Sequence, residues 1–274
     1  MSETKKTNKK TNKRTTVQQN DLEKQEYFGH AQDENIWDSF LVNKMIAHRG
    51  LHDKKVPENS LTAFKNAIEK GYCIELDINP IADGTPVVFH DSKMSRMTGK
   101  DKYIQNLDRE EFDATTLSGS SEKIPTFEEV LSLVDGKVPL LIEIKHQEKV
   151  GQLEKSVWEL LKNYKGEYAI QSFDPYTLNW FYKNAPKVWR GQLSCYFKGE
   201  KMNLIKKMIL KHMSLKKVAH PNFVSYNIQD LPNRFTKRMD IPLITWVVRN
   251  YEDYLKALKH TDNIIFEDFE PDLY

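Results

Sequence analysis

From residue 140 to residue 266, short apolar runs alternate with helical segments across brief links, and this rhythm leaves few folds open. Strands are predicted at 140–145, 168–172, 188–193, 223–226, 243–248 and 263–266. Between them the spacing predicts helices over 151–163, 175–184, 202–213, 229–239 and 251–259. Strand and helix in strict alternation imply a parallel sheet with helices packed outside it.

The first half begins with the same grammar. An apolar approach at 45–47 precedes a helix that opens at Asn59 or Ser60 and stops at Gly71. In the strand at 73–79, Ile74, Leu76 and Ile78 point one way and Glu75 and Asp77 the other. Asp83-Gly84 then turns the chain into a run at 87–89, with no room for a crossover helix. These two runs are therefore antiparallel or an irregular ribbon. Residues 92–123 are polar and turn-rich, an inserted and partly irregular segment, and Thr126 with Glu129 forms a capping box.

Nine strand candidates and about eight repeating units suggest a TIM (β/α)8 barrel, with 87–89 as the irregular member. The rival, a doubly wound open sheet, lacks the Gly-rich loop that would open a helix on a phosphate.

Charge separates the chain into parts. The net charge is +2, yet residues 1–20 carry six Lys or Arg against Glu3, and the remainder is slightly acidic. A broad nucleic-acid surface is not expected. Residues 1–25 are read as a disordered basic tail, because such a composition cannot offset its ordering entropy. The alternative use of that tail is a weak electrostatic contact with a membrane surface or nucleic acid. Residues 26–43 are read as a helical segment on the exterior or closing one end, and 44–274 as the catalytic domain. The tail has no secretory h-region, and no stretch approaches the ~18 apolar residues of a membrane span. Cys73 and Cys195 are isolated and suit free thiols in a reducing compartment, so a cytoplasmic location is expected.

Glu75, Asp77 and Glu143 interrupt apolar strands, where a carboxylate is costly unless paired or bound to a metal. Buried salt bridges to Lys145 or Arg49 would account for them. So would a divalent cation at the C-terminal mouth of a barrel, and three hard oxygen ligands suit Mg²⁺ or Ca²⁺. His48 and His90 each end an apolar run beside a charged residue. They can serve as general base and general acid, while Arg49 and Lys145 can neutralise a phosphate. His30, His52, His146, His212, His220 and His260 are read as satisfied or surface histidines.

The motifs His48-Arg49-Gly50, Pro57-Glu58-Asn59-Ser60, Glu75-Leu76-Asp77, Asp83-Gly84 and His90-Asp91 occur in this order. With Glu143-Ile144-Lys145, Gln171-Ser172-Phe173-Asp174 and Thr245-Trp246, the chain resembles the glycerophosphodiester phosphodiesterases over about residues 44–266. The resemblance implies a TIM barrel that hydrolyses glycerophosphodiesters to an alcohol and sn-glycerol 3-phosphate. It implies Glu75, Asp77 and Glu143 as ligands of one divalent cation and His48 and His90 as the acid/base pair. It also implies Arg49 and Lys145 on the phosphate, Glu58 in support of the metal or its water, and Trp246 and Phe173 in the substrate pocket. Either aromatic could equally be a core residue. The family's last strand usually ends Ile-Ile-Thr-Asp followed closely by Pro. Here it reads Ile264-Ile265-Phe266-Glu267, with Pro271 further on, so the last loop should shape the pocket differently.

Two rivals remain. A lysophospholipase D or sphingomyelinase-D-like enzyme would need exposed apolar residues around the barrel mouth, and residues 92–123 hold few aromatics. A non-catalytic phosphate-ligand sensor is weakened by the competent residue at every catalytic position.

Overall fold

A computed structural model describes residues 35–237 and 239–271. The expected tail, 1–25, lies outside these residues, as does His30. In chain order, α1 (Phe40–Asn43) precedes β1 (Ile46–Ala47). Next, α2 (Leu61–Lys70) leads to β2 (Cys73–Pro80), which turns back through β3 (Pro86–Val88). Two short helices, α3 (Ser95–Thr98) and α4 (Arg109–Asp113), precede α5 (Phe127–Val134). Alternation follows: β4 (Leu140–Ile144), α6 (Gln152–Leu161), β5 (Tyr168–Ser172), α7 (Pro175–Asn184) and β6 (Arg190–Ser194). The chain ends with α8 (Leu204–Lys211), α9 (Lys216–Ala219), β7 (Phe223–Asn227), β8 (Leu243–Val248), α10 (Tyr251–Ala257) and β9 (Asn263–Phe266).

β1 pairs in parallel with both β2 and β9, so the sheet closes. The barrel has eight parallel strands, and β3 is an antiparallel flap on β2. Local chemistry starts and stops the helices where the sequence indicates. The Ser60 hydroxyl accepts from the Ala63 amide at the start of α2, and Gly71 ends that helix at φ 73°. Thr126 and Glu129 form the capping box of α5.

The two faces of the strands carry different layers. Ile74, Leu76, Ile142, Ile144 and Ile170 face outward and pack with Phe64, Phe127, Val157 and Leu178 from the helices. Inside, Ile46, Cys73, Leu141, Ala169, Phe223, Ile244 and Ile265 form a separate cluster. Phe40 and Leu41 of α1 belong to it too, so α1 closes the N-terminal end of the barrel. This apolar plug sets the floor on which the polar layer stands.

Gly191 belongs to the plug level. A Cβ there would lie 2.2 Å from the Phe223 ring, which is fully buried. Gly191→Ala is expected to cost about 1–3 kcal/mol by overpacking. Urea denaturation would read this as a lowered midpoint, and an unchanged midpoint would show that the ring can yield.

One expectation needs correction. No α-helix spans 229–239 among the described residues; a 3-10 turn covers Ile228–Asp230 and the chain then loops. Pro232 lacks an amide hydrogen, and the Asn233 side chain accepts from the Phe235 and Thr236 amides, drawing the backbone into a local turn. Residues 92–123 are a partly irregular insertion, as expected, with a small core of their own. They include α3 and α4, and Met94, Ile104, Leu107, Phe112 and Leu117 form a small core with Val87 and Phe89.

Candidate active site

Strand periodicity builds the site. Two residues beyond the plug, on the same inward face, the strands carry His48, Glu75, Glu143, Gln171, Trp246 and Glu267. Apolar residues seal one end and polar ones open toward the C-terminal mouth. A cavity of about 350 Å³ there is lined by His48, Arg49, Glu75, His90, Glu143 and Trp246, among others.

One carboxylate oxygen from each of Glu75, Asp77 and Glu143 lies within 4.8 Å of the others, and all three residues are buried. Lys145 Nζ sits 2.7 Å from Asp77 Oδ1 and 2.6 Å from Glu143 Oε1. Arg49 Nε is 3.2 Å from Asp77 Oδ2, and the Asn59 amide donates to that oxygen at 2.8 Å. Burial pushes the Asp77 carboxyl up, but Lys145, His90 and Arg49 outweigh it and hold the pKa well below the ordinary value. Glu75 goes the other way. Burial, then repulsion by Asp77 and Glu143, raises its carboxyl well above the usual range.

The donor set fits a hard divalent cation. Three buried carboxylates converge on two cations, whose side chains pair with Asp77 and Glu143 while Glu75 takes the Arg49 backbone amide, so an oxygen of each is gathered where one hard ion would be held. Gln171 Oε1 is buried beside them with no hydrogen bond among the described residues, while its amide donates to Glu75 Oε1 at 3.4 Å.

Each of the two candidate acid/base histidines rests on a carboxylate. His48 Nδ1 makes a short hydrogen bond to Glu267 Oε2, and His48 Nε2 lies 4.0 Å from Glu75 Oε2. His90 Nδ1 is 2.7 Å from Asp91 Oδ1. Glu267 and Asp91 are both held well below the ordinary carboxylate pKa; burial opposes this, and the histidine hydrogen bonds lead the effects that overcome it. An ionised carboxylate can only accept, so each Nδ1 carries the proton and each Nε2 is left as the working nitrogen. Burial lowers the pKa of His48 despite the bond it donates to Glu267, and favours its neutral form.

The loops hold this group in shape. Arg49 takes φ 55° and Gly50 φ 79°, and a Cβ on Gly50 would meet Ala63 and Phe64 at 2.9 Å. The turn therefore packs directly on α2 and swings the Arg49 amide onto Glu75 Oε2 at 3.1 Å. Glu58 does not join the three-carboxylate group. It bonds Arg49 Nη1 at 2.7 Å and Arg96 Nη2 at 2.7 Å, and Arg96 Nε reaches Asp91 Oδ2 at 2.7 Å. One chain of ion pairs thus links Arg49 to the carboxylate behind His90.

The sequence profile of the Glycerophosphoryl diester phosphodiesterase family matches residues 48–269. The chain belongs to this family. A glycerophosphodiester phosphodiesterase of Caldanaerobacter subterraneus subsp. tengcongensis is 34% identical over 241 residues, covering 82% of this chain and 94% of that protein. A glycerophosphodiester phosphodiesterase of Thermotoga maritima superposes with a TM-score of 0.61 at 27% identity, over 81% of this chain and 93% of that one. An Oleispira antarctica phosphodiesterase, solved with the product sn-glycerol-3-phosphate, shares the fold. Its TM-score is 0.69 at 22% identity, over 82% of this chain and 92% of that one.

In this phosphodiesterase His48, Arg49, His90, Glu75 and Glu143 line one cavity with Phe173 and Trp246, Asp77 and Lys145 lie against the same carboxylates, and Glu58 stands apart on Arg49 and Arg96. Trp246 and Phe173 both line the cavity, with ring centroids 5.7 Å apart and edge to face. Trp246 also packs against the apolar plug, so it serves core and pocket at once. His52, read as a satisfied or surface histidine, pairs with Glu267 Oε2 at 3.6 Å and lies outside the lining of the cavity. Glu267, Gln171 and Asn59 had no role assigned from sequence. The first two were visible as inward positions two residues past an apolar one. Arg96 had no such signal, being one charge in a polar insertion.

Proposed function

We propose that this chain hydrolyses glycerophosphodiesters to an alcohol and sn-glycerol 3-phosphate, as a cytoplasmic enzyme of glycerophospholipid breakdown. The observation that carries the reading is a pair of carboxylate-backed histidines at a cavity lined by Arg49, Glu75 and Glu143, with Asp77 buried against the same two carboxylates. Glu75, Asp77 and Glu143 would hold one divalent cation, Mg²⁺ or Ca²⁺, which when bound supplies positive charge to the phosphoryl oxygens. Arg49 and Lys145 add fixed cationic charge beside the same group. Phe173 and Trp246 wall the substrate pocket.

His48, buried and neutral, takes on Nε2 a proton of the attacking water as the new P–O bond forms. The bond to the alcohol oxygen breaks, and His90 gives that oxygen a proton. After the step His48 holds the proton it took and His90 lacks the one it gave, and exchange with solvent returns both to their starting states. The test is release of sn-glycerol 3-phosphate from glycerophosphocholine and glycerophosphoethanolamine by the purified chain with Mg²⁺ or Ca²⁺ present. No release with any ion would overturn the reading.

Glu267 positions His48 in this scheme. Glu267→Gln is expected to lower kcat about 10–100-fold, the usual cost of losing a partner that orients a working side chain, with KM little changed. Glu267→Asp should recover part of the loss. Equal losses in both variants, or an effect on KM alone, would remove the positioning role.

A further inference from the structure

A second polar space adjoins the residues that back His48. It measures about 600 Å³, and its walls include His52, Asp53, Glu69, Glu267, Asp268 and Glu270. Acids outnumber lysines five to two along it, so it draws cations. His48 lines the catalytic cavity, whereas His52 and Glu267 line this cleft. The bond between His48 and Glu267 thus joins the two.

Three ligand atoms converge there. One from each of His48, His52 and Glu267 lies within 4.8 Å of the others. His48 Nδ1 and His52 Nε2 both face Glu267 Oε2, the first in a hydrogen bond and the second at 3.6 Å. His52 Nε2 is buried and has no hydrogen-bond partner among the described residues, a costly position for a ring nitrogen unless something binds it. A tetrahedral Zn²⁺ with bonds of about 2.1 Å holds its ligands about 3.4 Å apart, close to the spacing His52 and Glu267 already have. Arg249 pairs with Glu267 Oε1, so Oε2 is the oxygen left to the two imidazoles. The loop is fixed as well: the Leu51 amide bonds the Ala63 carbonyl at 2.9 Å, and the His52 amide bonds the Gly50 carbonyl at 3.2 Å. Two imidazoles and one carboxylate suit zinc, whereas the all-oxygen group of Glu75, Asp77 and Glu143 suits Mg²⁺ or Ca²⁺.

We infer that His48, His52 and Glu267 form a second metal site, for Zn²⁺, whose occupation switches His48 off. The hydrogen bond between His48 and Glu267 opens to admit the ion. A neutral imidazole carries one proton. When zinc takes Nδ1, that proton passes through solvent to Nε2, with no net gain or loss. Nε2 then donates where catalysis needs it to accept. The acidic cleft gives the ion its way in and leaves room for water as a fourth ligand. The inhibition rests on the phosphodiesterase reading above, and the binding stands without it.

The test titrates Zn²⁺ into the purified chain in saturating Mg²⁺ or Ca²⁺, following binding by calorimetry and turnover of glycerophosphocholine. One zinc should bind, and turnover should fall at least tenfold at saturation. More Mg²⁺ or Ca²⁺ should not restore it, as it would if zinc had displaced the ion from the three carboxylates. His52→Gln should keep the uninhibited rate, because His52 lies outside the catalytic cavity. It should weaken zinc binding by about 10–100-fold or more, since losing a ligand costs no less than losing a group that orients one. Nitrogen NMR of labelled histidines gives a reading that needs no variant. Zinc should shift His48 Nδ1 and His52 Nε2 and leave a proton on His48 Nε2. Equal zinc binding by wild type and His52→Gln, histidine signals that do not move, or inhibition fully relieved by Mg²⁺ or Ca²⁺ would each overturn the site. Binding that depends on His52 but leaves turnover undiminished would overturn the capture of His48. The same binding in a chain that hydrolyses no glycerophosphodiester would overturn the phosphodiesterase reading and leave the site standing.

Discussion

Replacing His48 with alanine is expected to lower kcat about 10²–10⁴-fold, the range of one acid/base group. The size follows from how completely the side chain is committed. Its Nδ1 is spent on Glu267, its Nε2 is turned toward Glu75, and burial favours the neutral form that can accept a proton. His52 does not take its place, because it faces the same Glu267 oxygen at 3.6 Å and lies outside the lining of the cavity. His90→Ala should cost a similar amount on natural substrates, and leaving groups separate the two roles. A p-nitrophenyl phosphodiester departs without a proton, so it should restore most of the rate to His90→Ala and little to His48→Ala. The opposite pattern would exchange the assignments, and losses of only a few-fold in both would remove them.

Removing divalent ions is expected to abolish turnover, and Glu75→Gln to reproduce that loss with a distinctive stability signature. Glu75 is buried and repelled by Asp77 and Glu143. Glutamine takes away that repulsion, so the ion-free variant should melt no lower than the ion-free wild type. The wild type should gain stability as Mg²⁺ or Ca²⁺ is added, by about 2.7 kcal/mol at a hundred times Kd, and the variant much less. Thermal melts with and without ion read this directly. A wild type that ignores both ions in melts and in turnover would leave the three carboxylates as a salt-bridge cluster with Lys145 and Arg49.

Much of the fold was legible because periodicity is a physical constraint. Glu75 and Asp77 had to share a face opposite Ile74, Leu76 and Ile78, and they do, on the inner side of the barrel. The turn before 87–89 left no room for a helix, and β3 runs antiparallel to β2. The helix expected at 229–239 failed because a helical hydrophobic pattern cannot report that the Asn233 side chain will compete for backbone amides. Residues 92–123 looked irregular because their small core is spread over many turns and has no single period.

The sequence by itself determined the alternation of strand and helix, the shared face of Glu75 and Asp77, and the order of motifs that marks the family. These depend on local geometry or on residue identity, and both are written along the chain. Only the tertiary structure decided which carboxylate each histidine rests on, that Arg96 joins Glu58 to Asp91, and that Phe173 divides a polar cavity from an apolar cleft. His48 and Glu267 are 219 positions apart, and meet because β1 pairs with β9 when the barrel closes. A contact made by closure has no period and no local signature, so it appears only once the last strand finds the first.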